Sequence, residues 1–238
     1  MTDQHDAAKA VWENFEDEAW RQDQSHWRGV GRWQDDDRWQ AIGKATIAKL
    51  RSAWRLANRP HFPEPLVALE WGQGGGTNVF AMRSLCRTYY GVDISPSNLA
   101  ECQRMITAEG FGRIFKPILL TSSPSDILAS INEPIDIFIS TAVFQHFPSK
   151  EYGGEVLRAV KSVSKPGAIG IVQIRYDNGN EKFSPIKTLS EYKEKHITAN
   201  SYQIDEFWKL LRDNGFSPLM VCDINGQVNY ATFVFSAL

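Results

Sequence analysis

The segment LVALEWGQGGGTNVF, residues 66–80, decides the fold of this chain. Its first four residues are apolar and predict a strand that is buried on both faces of a sheet. Glycines then occupy positions 72, 74, 75 and 76, and the apolar spacing of Val79, Met82 and Leu85 predicts a helix after them. A strand, a glycine turn and a helix form the layout of a nucleotide-type site in a doubly wound α/β sheet.

The spacing of the glycines separates two ligand classes. The dinucleotide fingerprint G-x-G-x-x-G, read from Gly72, requires a glycine at the position of Thr77. The pattern present is E-x-G-x-G-x-G, from Glu70 to Gly76, and it resembles motif I of the class I S-adenosylmethionine-dependent methyltransferases. In that family the acidic residue lies near the methionine end of the cofactor, and the glycines pass beneath it.

Later segments extend the resemblance along the chain. A second predicted strand ends in Asp93, where the family also has an acid and where a carboxylate can accept hydrogen bonds from both ribose hydroxyls. A turn at 165–167 precedes a fifth strand, and a terminal helix is followed by two strands joined at Asn225 and Gly226. The resemblance spans 66–238. It implies a Rossmann-like α/β fold with a mostly parallel seven-stranded sheet and a C-terminal antiparallel hairpin strand.

The resemblance also implies that S-adenosylmethionine is the cofactor and S-adenosylhomocysteine the product. The residues expected to bind the cofactor are Glu70, Gly72, Gly74, Gly76, Asn78, Asp93, Ile94, Ser122, Ser123 and Thr141. The third predicted strand, 115–120, departs from the family pattern, because relatives often carry an acid directly after it that meets the adenine amino group. Hydroxyl residues stand there instead. Adenine recognition is therefore expected from a hydroxyl or a backbone group.

His146 is the candidate catalytic residue. It follows the fourth predicted strand, 135–139, at the carboxyl edge where α/β sites form. An imidazole with a pKa near neutrality can take a proton from a hydroxyl as a methyl group is transferred. A role in capping a helix or in packing stays open. The same segment lacks both the Asn/Asp-Pro-Pro-aromatic motif of base-amino methyltransferases and a nucleophilic cysteine, which argues against DNA modification.

The chain divides into a lid and a main domain. Residues 1–60 are predicted to form a helical cap or lid, 61–238 the cofactor-binding methyltransferase domain, and 176–202 an acceptor-side insertion. The lid contains one helix with an apolar face at Ala7, Val11, Phe15 and Ala19, a second helix over 36–56, and a proline-rich linker at 58–65. The residues expected to contact the acceptor are Trp27, Arg28, Arg32, Trp33, Gln145, Arg175 and Tyr176.

Composition excludes several partners. The formal net charge of −2 over 238 residues indicates no general attraction to nucleic acid or to an anionic membrane. The three cysteines lie far apart and show no metal-ligand spacing, so no metal site is predicted. No apolar run approaches the roughly 18 residues that span a bilayer, and the N-terminus lacks a signal-peptide core. A cytoplasmic protein is the simplest interpretation, and a homodimer is left open.

These features together predict a methyltransferase that acts on a hydroxyl of a small polar acceptor. A sugar or related natural-product intermediate is favoured, because aromatic faces pack on rings and arginines bind oxygens. A phenolic or carboxylate acceptor fits nearly as well. Two other classes stay open: an NAD(P)-dependent oxidoreductase, and a non-catalytic module that binds S-adenosylmethionine.

Overall fold

The computed structural model describes residues 2–13, 17–57, 59 and 64–238. Phe15, which was predicted on the first helix face, lies outside the described residues, as does most of the predicted linker at 58–65. The predicted boundary between residues 60 and 61 falls in the same gap.

The described chain alternates helices and strands from residue 66 onward. The helices are α1 Thr2–Glu13, α2 Glu18–Gln24, α3 Asp36–Leu56, α4 Thr77–Met82, α5 Pro96–Ala108, α6 Ile127–Ser130, α7 Lys150–Val163, α8 Tyr192–Lys195 and α9 Ile204–Asp213. The strands are β1 Leu66–Trp71, β2 Cys86–Asp93, β3 Phe115–Leu119, β4 Ile135–Ser140, β5 Ser164–Arg175, β6 Phe216–Asn225 and β7 Tyr230–Ala237.

The strands form one seven-stranded sheet in the order β3-β2-β1-β4-β5-β7-β6. Strands β1 to β5 are parallel to one another, and β7 runs antiparallel between β5 and β6. The chain order reverses between β1 and β4, so the carboxyl ends of these two strands border the crevice where α/β sheets bind ligands. The predicted sheet, including its reversed hairpin strand, is confirmed.

Two predicted turns differ in detail. Strand β5 begins at Ser164 and so includes residues 165–167, which were predicted as a turn. An irregularity remains at this point: Gly167 has a φ of +76°, and the register with β4 shifts between Ile135 and Ile137. The C-terminal hairpin turn spans 226–229 and is longer than the predicted Asn-Gly connection. Asn229, with a φ of +51°, completes that turn.

Both faces of the sheet are covered by helices. One apolar cluster joins the sheet to α7 and α9, and the other joins it to α3, α4 and α5. Helix α3 brings Trp39, Leu50 and Ala53 into the second cluster with no exposed surface. Its Asp35 cap accepts hydrogen bonds from the backbone N–H groups of residues 37 and 38, which sets where the helix begins. The predicted second lid helix is therefore part of the main core.

Gly43 lies where α3 packs against α4. A Cβ atom at Gly43 would stand 2.4 Å from the Cβ of Ala81 and 2.7 Å from the carbonyl oxygen of Thr77. Real Cβ atoms are not found at such distances, so the two helix backbones approach this closely only because residue 43 is a glycine.

We expect Gly43→Ala to destabilise the protein by about 1–3 kcal/mol through overpacking, although alanine favours a helix over glycine by about 1 kcal/mol. Thermal unfolding of the purified variant would measure the change. Lys44→Ala, at the exposed neighbouring position of the same helix, is the matched control and should change stability by less than about 0.5 kcal/mol. A stabilised Gly43→Ala protein would contradict the close packing of α3 on α4.

Candidate functional site

A cavity lies at the carboxyl ends of β1, β2 and β4, and it holds about 880 Å³ of space including its open mouth. That volume is within the usual range for small-molecule sites. The sheet contributes the glycine loop and the strand ends, while α1 and the end of α2 cover the cavity from the other side. The residues lining it are Ala8, Trp12, Gln24, Ser25, His26, Glu70, Trp71, Gly72, Gln73, Gly74, Thr77, Asn78, Val92, Asp93, Ile94, Asn98, Leu120, Thr141, Ala142, Val143, His146, Phe147, Pro148, Tyr152 and Tyr192.

The glycine loop has the backbone conformation that its sequence predicts. Gly72, Gly74 and Gly76 have φ values of +73°, +50° and +86°, which residues with a Cβ atom rarely adopt. A Cβ on Gly72 would also stand 2.5 Å from Val143 of the β4 turn. Gly72 and Gly74 line the cavity, whereas Gly76 lies behind it against Cys102.

The lid packs directly on this loop. The N–H of Gly75 donates to the carbonyl oxygen of Ser25 at 2.7 Å, and a Cβ on Gly75 would stand 2.7 Å from the carbonyl oxygen of His26. A Cβ on Gly74 would meet the Ser25 carbonyl oxygen at 2.3 Å. Gly74 and Gly75 therefore allow the lid backbone to approach the loop closely. From the sequence, the glycines were expected to allow the close approach of a ligand only.

Asp93 is held at the end of β2 by three donors. Its carboxylate accepts from the N–H of Ser95 at 2.8 Å, the N–H of Gly74 at 3.3 Å and the side-chain amide of Asn98 at 3.2 Å. Burial raises the pKa of Asp93 to about 6 despite these bonds. Asn98 in turn accepts from Trp27 Nε1 at 2.9 Å. Asp93 and Ile94 line the cavity as predicted, and Trp27 ties the lid to Asp93.

Glu70 is a buried carboxyl group beside the same loop. It accepts hydrogen bonds from Asn78 Nδ2 at 2.5 Å and from the Tyr89 hydroxyl at 2.7 Å. Burial raises its pKa to about 7, against the lowering effect of these two bonds, and the nearby Asp93 raises it further. The Glu70 side chain faces no cation among the described residues that line the cavity.

The cavity offers further unused acceptors near Glu70. Gln73 Oε1 and Asn78 Oδ1 are buried and have no hydrogen-bond partner among the described residues. Both side chains line the cavity. Two acidic groups and two open carbonyl oxygens suit a ligand that carries ribose hydroxyls and positive charge, and S-adenosylmethionine has both. The residues present therefore fit the cofactor that the resemblance implies.

Ser122 and Ser123 do not reach the cavity. The backbone N–H of Ser122 donates to Asp126 at 2.9 Å and its hydroxyl donates at 2.8 Å, while the N–H of Ser123 donates to Asp126 at 3.3 Å. Asp126 thus accepts hydrogen bonds from the turn after β3 and engages the two serines that were predicted to contact the cofactor. Apolar Leu120 and Ile94 line the cavity at this end.

His146 lines the cavity in the turn after β4, close to Thr141. Its Nδ1 lies 3.0 Å from the carbonyl oxygen of His196. Because a carbonyl can only accept, Nδ1 carries the proton and Nε2 keeps a lone pair. Burial lowers the pKa of His146 to about 4, so the ring is neutral near pH 7.

Two lid arginines expected at the acceptor are engaged elsewhere. Arg28 forms ion pairs with Asp36 and Glu109, and Arg32 forms one with Asp23 at 3.0 Å. Neither guanidinium group lines the cavity.

The lid tryptophans serve as anchors. Trp33 is buried and donates through Nε1 to the Asp23 carbonyl oxygen at 2.6 Å, and Trp27 bonds Asn98. The four residues predicted at 27–33 to contact the acceptor thus make contacts that hold the lid, because nearby acids, carbonyls and amides satisfy their polar groups.

The acceptor residues predicted near β5 also lie behind the cavity lining. Gln145 donates to the Tyr230 hydroxyl at 3.1 Å, and Arg175 donates to the Val228 carbonyl oxygen at 2.9 Å and to the same hydroxyl at 3.2 Å. The backbone N–H of Tyr176 donates to the carbonyl oxygen of Asn229 at 2.7 Å. These residues connect β5 to the C-terminal hairpin.

Sequence reasoning missed several residues that line the cavity: Trp12, Ser25, His26, Gln73, Asn98 and Tyr192. The apolar face of α1 was visible in the sequence, but its direction relative to the cavity was not. Tyr192 lies in the polar insertion, where no periodicity marks it. Its hydroxyl donates to the His146 carbonyl oxygen at 2.6 Å and so joins the insertion to the turn after β4.

The described residues hold neither a metal-binding cluster nor a membrane-spanning helix. In the part of the chain that the structure describes, no group of three or more His, Cys, Asp or Glu side chains is placed to hold a metal ion. No described helix is both long and apolar enough to cross a membrane.

We expect Glu70→Gln to stabilise the ligand-free protein more at pH 8 than at pH 4.5. Burial raises the pKa of Glu70 from 4.5 to about 7 in the folded parent protein. As pH rises through this range the unfolded state loses its proton first, so the free energy of unfolding of the parent falls, whereas glutamine does not titrate. The stabilisation by Glu70→Gln at pH 8 should exceed that at pH 4.5 by about 3 kcal/mol at most. Calorimetric unfolding at both pH values measures it. Glu151→Gln, at an exposed position of α7, is the control. Equal effects at the two pH values would contradict the burial of an ionisable carboxyl at Glu70.

We expect Gly75→Ala to loosen the lid, because the added methyl group would strike the backbone of residues 26 and 27. Amide hydrogen exchange at 24–28 should accelerate by about tenfold or more. Gly154→Ala, where the nearest atom to the new methyl lies at 3.5 Å, should leave that exchange unchanged. Unaltered exchange in Gly75→Ala would show that the lid does not depend on this contact.

Comparison with known proteins agrees with the geometry. Residues 69–172 match the family model of a methyltransferase domain. No curated protein matches the chain by sequence. A magnesium protoporphyrin IX methyltransferase from Synechocystis, solved with bound S-adenosylmethionine, superposes with a TM-score of 0.66 and 17% identity over 99% of this chain and 97% of that chain.

Two further solved structures share the fold. An S-adenosylmethionine-dependent methyltransferase from Clostridium acetobutylicum has a TM-score of 0.57 and 14% identity over 82% of this chain and 90% of that chain. The cyclase SpnF has a TM-score of 0.57 and 14% identity over 79% of this chain and 80% of that chain. At these identities the likeness shows the fold alone. The domain match over residues 69–172, the glycine motif and this fold together support a class I S-adenosylmethionine-dependent methyltransferase with S-adenosylmethionine as its cofactor.

Proposed function

We propose that the chain transfers a methyl group to a hydroxyl of a small acceptor and that His146 is the general base. The observation that carries this proposal is the neutral imidazole in the cavity wall, oriented by the His196 carbonyl oxygen at 3.0 Å. The orientation leaves Nε2 as the proton acceptor. A hydroxyl gives up its proton when it is methylated, so a positioned base lowers the barrier.

Each part of the cavity has a role in this reaction. When bound, the cofactor supplies an electrophilic methyl group on a sulfonium. Asp93 accepts hydrogen bonds from ribose hydroxyls, while Glu70, Asn78 and Gln73 bind the positively charged methionine end. The lid formed by α1, α2 and the turn after it excludes water and holds the acceptor in line, and this positioning supplies most of the catalysis. His146 accepts the acceptor proton at Nε2.

The geometry narrows the acceptor that the sequence suggested. The preference for a sugar rested on the arginines and tryptophans at 27–33 and on Tyr176, and these residues hold the lid and the hairpin. A hydroxyl acceptor therefore remains the proposal, whereas none of the residues that favoured a sugar lines the cavity. The lid role of residues up to about 60 stays in the proposal, since α1 and the end of α2 cover the cavity.

We expect His146→Ala and His146→Gln to lower kcat about 10²- to 10⁴-fold, the usual contribution of a general base. Affinity for S-adenosylhomocysteine should change by less than about threefold, because the groups that bind the cofactor stay in place. Steady-state kinetics and isothermal titration measure the two quantities. Glutamine keeps polarity and size at this position but cannot take the proton.

Tyr192→Phe is the matched control, since it removes the 2.6 Å hydrogen bond to the His146 backbone but leaves the imidazole. It should reduce kcat by less than about tenfold. Unchanged turnover in both His146 variants would remove this residue from the mechanism. If the His146 variants lose both turnover and S-adenosylhomocysteine binding, His146 has a structural role instead.

A further inference from the structure

The cavity has two ends of different chemistry. The end beside the glycine loop carries Glu70, Gln73, Asn78 and Asp93 and is polar. A second part of the lining, here called the acceptor end, is the wall formed by Trp12, His146 and Tyr192. These three residues come from α1, from the turn after β4 and from α8, so only the folded chain brings them together.

The acceptor end is a continuous aromatic surface. The rings of Trp12 and His146 pack edge to face with centroids 5.0 Å apart. The Trp12 side chain hydrogen-bonds that of Tyr192, whose hydroxyl donates to the His146 carbonyl oxygen at 2.6 Å. Most of the polar atoms of this wall are therefore already paired. The ring nitrogens of His146 are the least tightly paired: Nε2 lies 3.5 Å from the Gln145 amide, and besides the His196 carbonyl the ring contacts the backbone of Ala142.

The charge of the lining excludes a carboxylate acceptor. Among the described residues that line the cavity there is no Lys or Arg, and the two charged groups are the acids Glu70 and Asp93. A carboxylate buried there would have no cation to pair with and would be repelled by these acids. The arginines predicted to bind acceptor oxygens pair with acids outside the cavity.

The same wall disfavours a sugar. A sugar carries several hydroxyls, and each loses its water hydrogen bonds on burial unless the protein supplies a partner. Within the wall of Trp12, His146 and Tyr192, the one side-chain nitrogen that can accept a proton is Nε2 of His146. An acceptor that matches it has one hydroxyl and an otherwise apolar, flat body that packs against Trp12.

From this arrangement we infer that the acceptor is a phenol, with its ring against Trp12 and its hydroxyl beside His146. The inference rests on the proposed methyl transfer. In the step, the phenolic oxygen forms a bond to the methyl carbon and the carbon–sulfur bond of the sulfonium breaks. That bond's electron pair stays on sulfur, which becomes the thioether of S-adenosylhomocysteine, and the phenolic proton moves to Nε2 of His146.

The basicity of His146 agrees with this class. Burial lowers its pKa to about 4, which makes the imidazole a weak base. A phenol has a pKa of about 10, like tyrosine, whereas an unactivated alcohol approaches the value of about 15.7 for bulk water. A weak base can assist the loss of a phenolic proton far more readily than that of an alcohol.

The test uses the full chain saturated with S-adenosylhomocysteine and three probes: 2-naphthol, methyl glucoside and benzoate. Saturation-transfer NMR measures binding to this complex, and methylation is measured separately with labelled S-adenosylmethionine. We expect 2-naphthol to bind at least tenfold more tightly than the other two and to be the probe that is methylated. Tighter binding or faster methylation of methyl glucoside or benzoate would overturn the inference.

Variants locate the bound ring. Trp12→Ala should weaken 2-naphthol binding about tenfold and Trp12→Phe by less than threefold, with S-adenosylhomocysteine affinity within twofold in both. Trp20→Ala is the control, because Trp20 stacks on Trp12 with centroids 6.5 Å apart but does not line the cavity. Equal binding by Trp12→Ala and the parent would overturn the placement of the ring.

The two readouts separate this inference from the proposed function. If 2-naphthol binds through Trp12 but no hydroxyl compound is methylated, the phenol site stands and the methyl-transfer proposal fails. If methyl glucoside is methylated in a reaction that depends on His146, the proposed function stands and the phenol inference fails.

Discussion

The contact between the N–H of Gly75 and the carbonyl oxygen of Ser25 is the constraint on which the site depends. It brings the lid backbone within 2.7 Å of the glycine loop, a distance at which no side chain fits on Gly75. The neighbouring lid residue Trp27 then reaches Asn98, which in turn bonds Asp93 at the end of β2. The lid, the glycine loop and Asp93 are thus joined by a continuous set of hydrogen bonds.

Electrostatics make this unit receptive to a positively charged ligand. Burial raises the pKa of Glu70 to about 7 and that of Asp93 to about 6, and the described cavity lining contains no cation to offset either acid. A sulfonium and an ammonium group would supply the missing positive charge, and the open oxygens of Gln73 and Asn78 would supply further partners. The binding site is therefore destabilised when empty, and cofactor binding relieves part of that cost.

The features that the sequence located in the fold are those with a local backbone cause. Neighbouring residues in the sequence suffice to predict glycines at positive φ, a carboxyl group at a strand end and an apolar strand. Assignments from residue type alone were less successful. Arg28 and Arg32 were expected to bind acceptor oxygens, yet Asp36 and Asp23 lie within ten residues and capture both guanidinium groups. Ser122 and Ser123 were likewise captured by Asp126. In each case an acid close in the sequence was available, and its presence predicted the partner of the side chain better than the residue type did.

The sequence by itself determined the sheet, the glycine loop, the acid after β2 and the histidine after β4, because periodicity and backbone conformation act over a few residues. Only the tertiary structure decided what faces the cavity. Trp12 and Tyr192 are 180 residues apart and meet at one wall because α1 and α8 pack together. The basicity of His146 was also decided there, since its pKa depends on how deeply the assembled lid buries the ring. Long-range packing has no local sequence signature, so the acceptor end became visible only in the folded chain.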